Sequence, residues 1–193
     1  NFILGNAILQ KISKKFNIKY SPKNLEHLLN IVSKSSYKEI LLDDIIDYKI
    51  FDPTCGTGAF LVNALYIKYL FVKKINTIVT LDDMMRIIKN LYGNDIDKNA
   101  IDIAMAKIIL KAMELFGNSL NIRELQAVLK NNFTCNDFVC KQNCNNMKFD
   151  IIVGNPPYVE STKYKGKLNK DYGNIYANVI ENSIKKLSAD GTL

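Results

Sequence analysis

Residues 48–71 read YKIFDPTCGTGAFLVNALYIKYLF. A short apolar run of strand character, Tyr48–Phe51, meets a loop containing Gly56 and Gly58. From about Ala59 the apolar residues recur at helical spacing. A strand, a glycine-bearing loop and a helix in that order are the opening unit of a doubly wound α/β sheet. The unit recurs in LYGNDIDKNAIDIAMAKIILKAMELF, with a strand at Leu91–Asn94, a polar turn and a long helix. NNFTCNDFVC offers a third short strand and KFDIIVGNPPY a fourth. GNIYANVIENSIKKLSADG is predicted to be an amphipathic helix stopped by Gly191.

Upstream, Phe2, Ile3, Ala7, Ile8 and Ile12 mark a helix over residues 2–15. KYSPKNLEHLLNIVSK follows, with Ser21 as N-cap and Pro22 in the first turn. Residues 70–90 and 116–130 read as further helical material between strands. The expected architecture is an N-terminal helical segment, 1–47, ahead of a core at 48–193. That core is predicted to be a mostly parallel α/β sheet with helices on both faces, truncated after the fourth strand. The chain starts without Met and ends in SADGTL, a turn feeding another strand, which suggests a piece of a longer polypeptide.

With 26 Lys and Arg against 19 Asp and Glu, the net charge of +7 leans toward nucleic acid. A Lys-, Asn- and Ile-rich composition gives the same excess, and charge alone speaks to solubility and non-specific binding. No apolar run reaches membrane-spanning length, and NFILGNAILQK lacks a basic n-region and cleavage site. Cys55, Cys135, Cys140 and Cys144 match no common zinc spacing, and His27 is the only histidine. They read as isolated, reduced, largely buried thiols of a cytoplasmic protein. A Ser-His-Asp or Cys-His mechanism has no support. Tyr66, Tyr69 and Phe71, at helical spacings, read as core.

The loop DPTCGTGAF lacks the third glycine of a dinucleotide fingerprint, because position 61 is Leu, and no Walker phosphate loop is present. Acidic residues surround it in sequence. Asp52 ends the first strand, Asp95 and Asp97 follow the second, and Asp137 follows the third. Carboxylates at successive strand ends repel a pyrophosphate. They suit a ligand with a free amino group, ribose hydroxyls and an adenine amine, and S-adenosylmethionine has all of these. The plainer alternative is that such residues are solvated turn formers and helix caps. Their register with the glycine loop favours a nucleoside.

IIVGNPPYVE, residues 151–160, then ends an apolar strand in two prolines. Proline stops strand pairing and fixes the backbone, so Asn155 and Tyr158 project from a stiff loop at a strand end.

Together these segments resemble the γ-class amino-methyltransferases of DNA, the N6-adenine methylases of restriction–modification systems. FDPTCGTGAFL resembles their D-P-x-C-G-[ST]-G-x-F-L loop, LYGNDIDKNAIDIAMAKIIL their second-strand signature, CNDF the third motif and FDIIVGNPPYV the catalytic one. FILGNAILQKISKKFNIKYSP is similar to the segment ending G-x-Y-Y-T-P, with Ser21 for the family Thr and Asn17 for its preceding Gly. The resemblance implies a Rossmann-like, S-adenosylmethionine-dependent fold. It implies cofactor contacts from Tyr20, Ser21, Asp52, Pro53, Thr54, Cys55, Gly56, Thr57, Gly58, Phe60, Asp95, Ile96, Asp137, Phe138 and Asn155. Catalysis would rest on Asn155, Pro156, Pro157 and Tyr158. Tyr158 would stack on an adenine flipped out of double-stranded DNA, and a target-recognition domain or specificity subunit would lie outside this chain.

Asn-Pro-Pro-Tyr also occurs in methylases of protein glutamine and, with variants, of RNA bases, so these remain rivals; Asp52-Pro53 and Cys55 favour the DNA group. A non-catalytic methylase-like module is the alternative of another class. In KYKGKLNKDY, Lys163, Lys165, Lys167 and Lys170 surround Tyr164 and Tyr172. They form either a loop gripping phosphates beside the extruded base or a solvated surface loop.

Overall fold

The computed structural model describes residues 2–16, 25–36, 38–117, 119–140, 147–168 and 170–193. Three helices, α1 (Phe2–Phe16), α2 (Leu25–Lys34) and α3 (Lys38–Asp47), precede β1 (Ile50–Asp52). Then come α4 (Ala59–Asn76), α5 (Leu81–Lys89), β2 (Leu91–Asp95), α6 (Lys98–Phe116), α7 (Ile122–Asn132), β3 (Phe133–Cys135), β4 (Phe149–Ile152), α8 (Ile175–Ile184) and β5 (Leu187–Thr192). The extra helices expected in 70–90 and 116–130 are α5 and α7. The proposed cap Ser21 and Pro22 lie outside the described residues.

The strands form one parallel sheet in the order β3-β2-β1-β4-β5. This is the Rossmann-like arrangement expected, with one correction. The last helix ends at Ile184 rather than running to Gly191, and Leu187–Thr192 adds a fifth strand beside β4. Lys185 and Lys186 form the turn between them. Gly191, read as a helix stop, lies inside β5, where an added Cβ would come 2.8 Å from Leu187 Cδ2 and 3.1 Å from the Phe149 carbonyl oxygen. The glycine there serves close strand packing.

Alternation along the central strands builds two apolar layers. Ile50 and Ile151 face a large cluster with Leu61, Leu65, Phe71, Ile108 and Leu125, whereas Phe51 and Ile152 face a smaller one with Phe138, Phe149, Ile175 and Val179. Helices α1 to α7 contribute to the first layer. Among the described residues only α8 covers the second. Phe71 is core as expected. Tyr66 and Tyr69 are half-buried, with Lys111 Nζ 4.9 Å and Lys73 Nζ 5.8 Å from their ring centroids.

Within the first layer Lys68 is wholly buried, and its ammonium donates to the carbonyls of Ile46 at 2.8 Å and Tyr48 at 2.6 Å. It thereby closes the C-terminal end of α3 onto the entry to β1, satisfying carbonyls a helix end leaves open. Burial lowers its pKa to about 7. No helix among the described residues is long and apolar enough to cross a membrane.

The strand order places the switch point between β1 and β4. Connections leaving the carboxyl ends of these two strands diverge there and open a crevice.

Candidate active site

The crevice holds a cavity of about 390 Å³ at the carboxyl ends of β1 to β4. Pro53 and Thr54 come from the first strand end, Asp95 and Ile96 from the second, Asp137 and Phe138 from the third, and Asn155 and Pro157 from the fourth. Eight residues from four separated segments, all singled out from the sequence, thus share one wall. A neighbouring cavity of about 440 Å³ includes Pro156 and Gly154, and Pro53 lines both.

The loop after β1 is shaped by backbone conformation and by its neighbours. Gly56 (φ 49°) and Gly58 (φ 79°) adopt left-handed conformations that other residues resist. At Gly58 an added Cβ would also lie 2.8 Å from the Cβ of Ala104, so this glycine lets α4 approach α6. Gly56 donates its N–H to Asp95 Oδ2 at 2.7 Å, and Cys55 N–H donates to the Asn94 carbonyl at 2.8 Å. Asp95 Oδ1 accepts from Asp97 N–H at 3.0 Å. Each oxygen of Asp95 thus takes one backbone donor and keeps lone-pair capacity for a ligand. Asp97, by contrast, caps α6, accepting from Asn99 N–H at 2.8 Å.

Several sequence-selected residues do not face the cavity. Asp52 is 1% exposed, its Oδ1 accepting Thr54 N–H at 3.1 Å beneath Gly154. A Cβ on Gly154 would stand 2.7 Å from that oxygen, so only glycine lets the loop after β4 pass over the carboxyl. Cys55 is buried in the large core, where desolvation, then Asp52 and Asp95, push its thiol up to about 12. Thr57 is exposed and accepts from Lys107 Nζ at 2.9 Å, and Phe60 packs on the core. Tyr20 and Ser21 lie outside the described residues, as does Cys144. The thiols are not uniformly buried: Cys135, near the end of the edge strand β3, is exposed, and Cys140 is half-buried.

Desolvation raises the Asp52 pKa to about 7, opposed by the Thr54 N–H and reinforced by Asp95. The folded state therefore holds a proton that the unfolded chain releases near pH 4. That contribution is complete below pH 4 and is lost as pH rises through 7. Between pH 5 and 7, below the Lys68 window, stability should fall by about 2 kcal/mol on this account. Urea unfolding of Asp52→Asn should lose that slope; an unchanged slope would assign it elsewhere.

Asn94, not singled out from the sequence, joins three strand ends. It is 3% exposed, and its two Nδ2 protons go to the Pro53 carbonyl at 3.0 Å and the Asn136 carbonyl at 2.9 Å. Its Oδ1 accepts from Thr134 Oγ1 at 2.8 Å. All three partners come from neighbouring strand ends, which a one-dimensional pattern does not display.

The Asn-Pro-Pro-Tyr loop leaves β4 with Val153 N–H still donating to the Phe51 carbonyl at 2.9 Å. Beyond it Asn155 is exposed to the cavity, and among the described residues its side-chain amide has no hydrogen-bond partner. The Thr54 hydroxyl oxygen, buried in the same wall, likewise lacks one among the described residues. Tyr158 is 75% exposed, with its ring 5.6 Å from that of Tyr176 on α8.

The lysine-rich segment is closed at its base by an antiparallel bridge between Glu160 and Asn174. Lys163 and Lys165 line the cavity, Lys163 pairing with Glu160 at 2.9 Å. The Lys167 backbone bonds to Cys140 Sγ, and Lys170 Nζ lies 4.8 Å from the Tyr172 ring centroid. Ile175 and Val179 of α8 complete the apolar floor. The helical pattern gave their burial but not their cavity.

Residues 89–193 match the family model described as Eco57I restriction-modification methylase. Among curated relatives, the type II restriction enzyme and methyltransferase RM.Eco57I of Escherichia coli is 26% identical over 95% of this chain and 24% of its own length. The type II methyltransferase M.VspI of a Vibrio species is 24% identical over 86% of this chain and 31% of its own. This chain spans less than a third of the length of either. By the extent of the family match, the chain belongs to the Eco57I restriction-modification methylase family.

Proposed function

We propose that the chain carries the catalytic core of an S-adenosylmethionine-dependent DNA methyltransferase acting on the N6 amine of adenine, within a restriction–modification or phage-defence system. The observation that carries this reading is the convergence of Asp95, Asp137 and an Asn155 side chain without a partner among the described residues on one cavity.

The residues fit the cofactor. Asp95 has free acceptor capacity for ribose hydroxyls, and Asp137 for an adenine amine. Ile96, 70% exposed, and Phe138 offer apolar faces for a purine ring. The orphaned Thr54 hydroxyl is a polar atom that a bound ligand can satisfy. When bound, S-adenosylmethionine supplies an electrophilic sulfonium methyl.

The chain's part is to make a poor nucleophile competent. The lone pair of an exocyclic adenine amine is delocalised into the ring. Asn155 Oδ1 and the Pro156 carbonyl accept its two N–H bonds, favour a pyramidal nitrogen and stabilise the positive charge that develops there. This is electrostatic preorganisation, with no general base needed before transfer. The prolines hold those acceptors in one geometry. Tyr158, braced by Tyr176, offers a stacking face to a base swung out of double-stranded DNA. Lys163 and Lys165, beside the same cavity, would grip phosphates next to that base. Target recognition falls to a domain or subunit outside this chain, and a DNA substrate with reduced thiols suits the cytoplasm.

The test offers the full-length protein labelled S-adenosylmethionine with unmethylated duplex DNA, RNA and a protein extract together, and digests the products. Label in N6-methyladenine from DNA is expected. Label in protein glutamine or RNA would overturn the substrate, and cofactor binding without transfer to any of them would overturn the catalytic reading.

A further inference from the structure

Tyr164 enters the cavity from the lysine-rich segment, and its contacts there are not those of a solvated loop. Its hydroxyl donates to Asp137 Oδ2 at 2.6 Å. The other oxygen, Oδ1, accepts the backbone N–H groups of Val139 at 2.9 Å and Cys140 at 3.4 Å. Cys140 Sγ lies 3.0 Å from the same hydroxyl and accepts Lys167 N–H at 3.1 Å. The Gly166 backbone presses on this cluster, and a side chain there would collide with the Tyr164 hydroxyl and approach Cys140 Sγ to 2.7 Å. The segment is therefore built around the phenol rather than merely passing it.

Resting on the reading of this cavity as a cofactor site, we propose that Tyr164 is a positioning residue that fixes the orientation of the Asp137 carboxylate and so sets the pocket's preference for a 6-amino over a 6-oxo purine nucleoside. A carboxylate oxygen that takes one donor keeps a second acceptor direction. Oδ2 can therefore receive an exocyclic amine beside the phenol, whereas a ring carbonyl in that place would set lone pair against lone pair. Desolvation and the Asp137 bond push the phenol's pKa far up, so Tyr164 keeps its proton and remains the donor. Without it, Oδ2 loses its only protein donor among the described residues and is free to turn. A carboxylate turned away from the amine no longer favours a 6-amino over a 6-oxo group, and discrimination falls.

The experiment measures, by calorimetry on the full-length protein, the affinities of S-adenosylhomocysteine and its deaminated 6-oxo counterpart. Wild type is compared with Tyr164→Phe and with Gly166→Ala, which keeps every functional group but displaces the hydroxyl. Wild type should prefer the amino form. Each variant should lose about tenfold of that preference, chiefly through weaker binding of the amino form. Equal weakening of both ligands, or an unchanged ratio, would overturn the proposal and leave Tyr164 as packing. Tighter binding of the amino form by Tyr164→Phe would overturn it in the other direction, making the phenol a competitor for Asp137. Failure of wild type to bind either ligand would instead overturn the cofactor-site reading, and this inference with it.

Discussion

Replacing Asn155 with Ala is expected to lower methyl transfer by about 10³-fold, the cost of removing one preorganised electrostatic contact to a developing charge. Cofactor affinity should remain close to wild type, because Asp95, Ile96, Asp137 and Phe138 still line the cavity. Stability should also hold. Asn155 is exposed and unpartnered among the described residues, so truncating it orphans no buried group. Single-turnover rates with labelled S-adenosylmethionine, set beside equilibrium binding of S-adenosylhomocysteine, separate the two effects. Turnover within tenfold of wild type would mean that the Asn-Pro-Pro-Tyr loop does not perform the chemistry. Loss of binding along with turnover would make Asn155 a cofactor anchor first.

Asn94→Ala should behave in the opposite way. It strands the Pro53 carbonyl in a buried setting and removes the side chain that links three strand ends, whereas the exposed Asn136 carbonyl and Thr134 hydroxyl can turn to water. Leaving a carbonyl unpaired where water cannot reach it costs about 1–3 kcal/mol, so the expected loss is about 2 kcal/mol. Cofactor binding should fall with it, because Pro53 and Asn136 both line the cavity. Urea unfolding and calorimetry on the same preparation check both. A stable variant that binds normally would show that the loops keep their places without this amide.

The strands and the cavity's acidic and apolar walls were legible because each depends on a local pattern. Apolar runs give strands, and chain order with a parallel sheet brings strand ends together, so Asp95, Asp137 and Asn155 could be placed on one side of the molecule. What the pattern could not give was direction. Asp52 ends its strand as expected but points beneath Gly154, not into the cavity. Asp97, two residues after Asp95, is spent as a helix cap. Gly58 serves the contact with Ala104. The fifth strand was read as helix because LSADG carries an apolar residue at helical distance from the preceding turn and a glycine that commonly ends helices. Its pairing with β4 is a non-local contact, as are the hydrogen bonds of Asn94 and Tyr164. Such contacts leave no periodic trace in the chain.

The unlike burial of Cys55 and Cys135 gives this protein a reporter of its own motions. The Cys135 thiol is exposed and open to an alkylating reagent, whereas Cys55 sits within the glycine loop, closed off and poor in thiolate. Labelling at Cys55 must wait for the loop to open, so its rate relative to Cys135 reads the free energy of that opening. A ligand seated against Thr54 and Asp95 would slow Cys55 alone. The protein therefore carries, without any engineered probe, a chemical clock for the order of the loop that its proposed cofactor would contact.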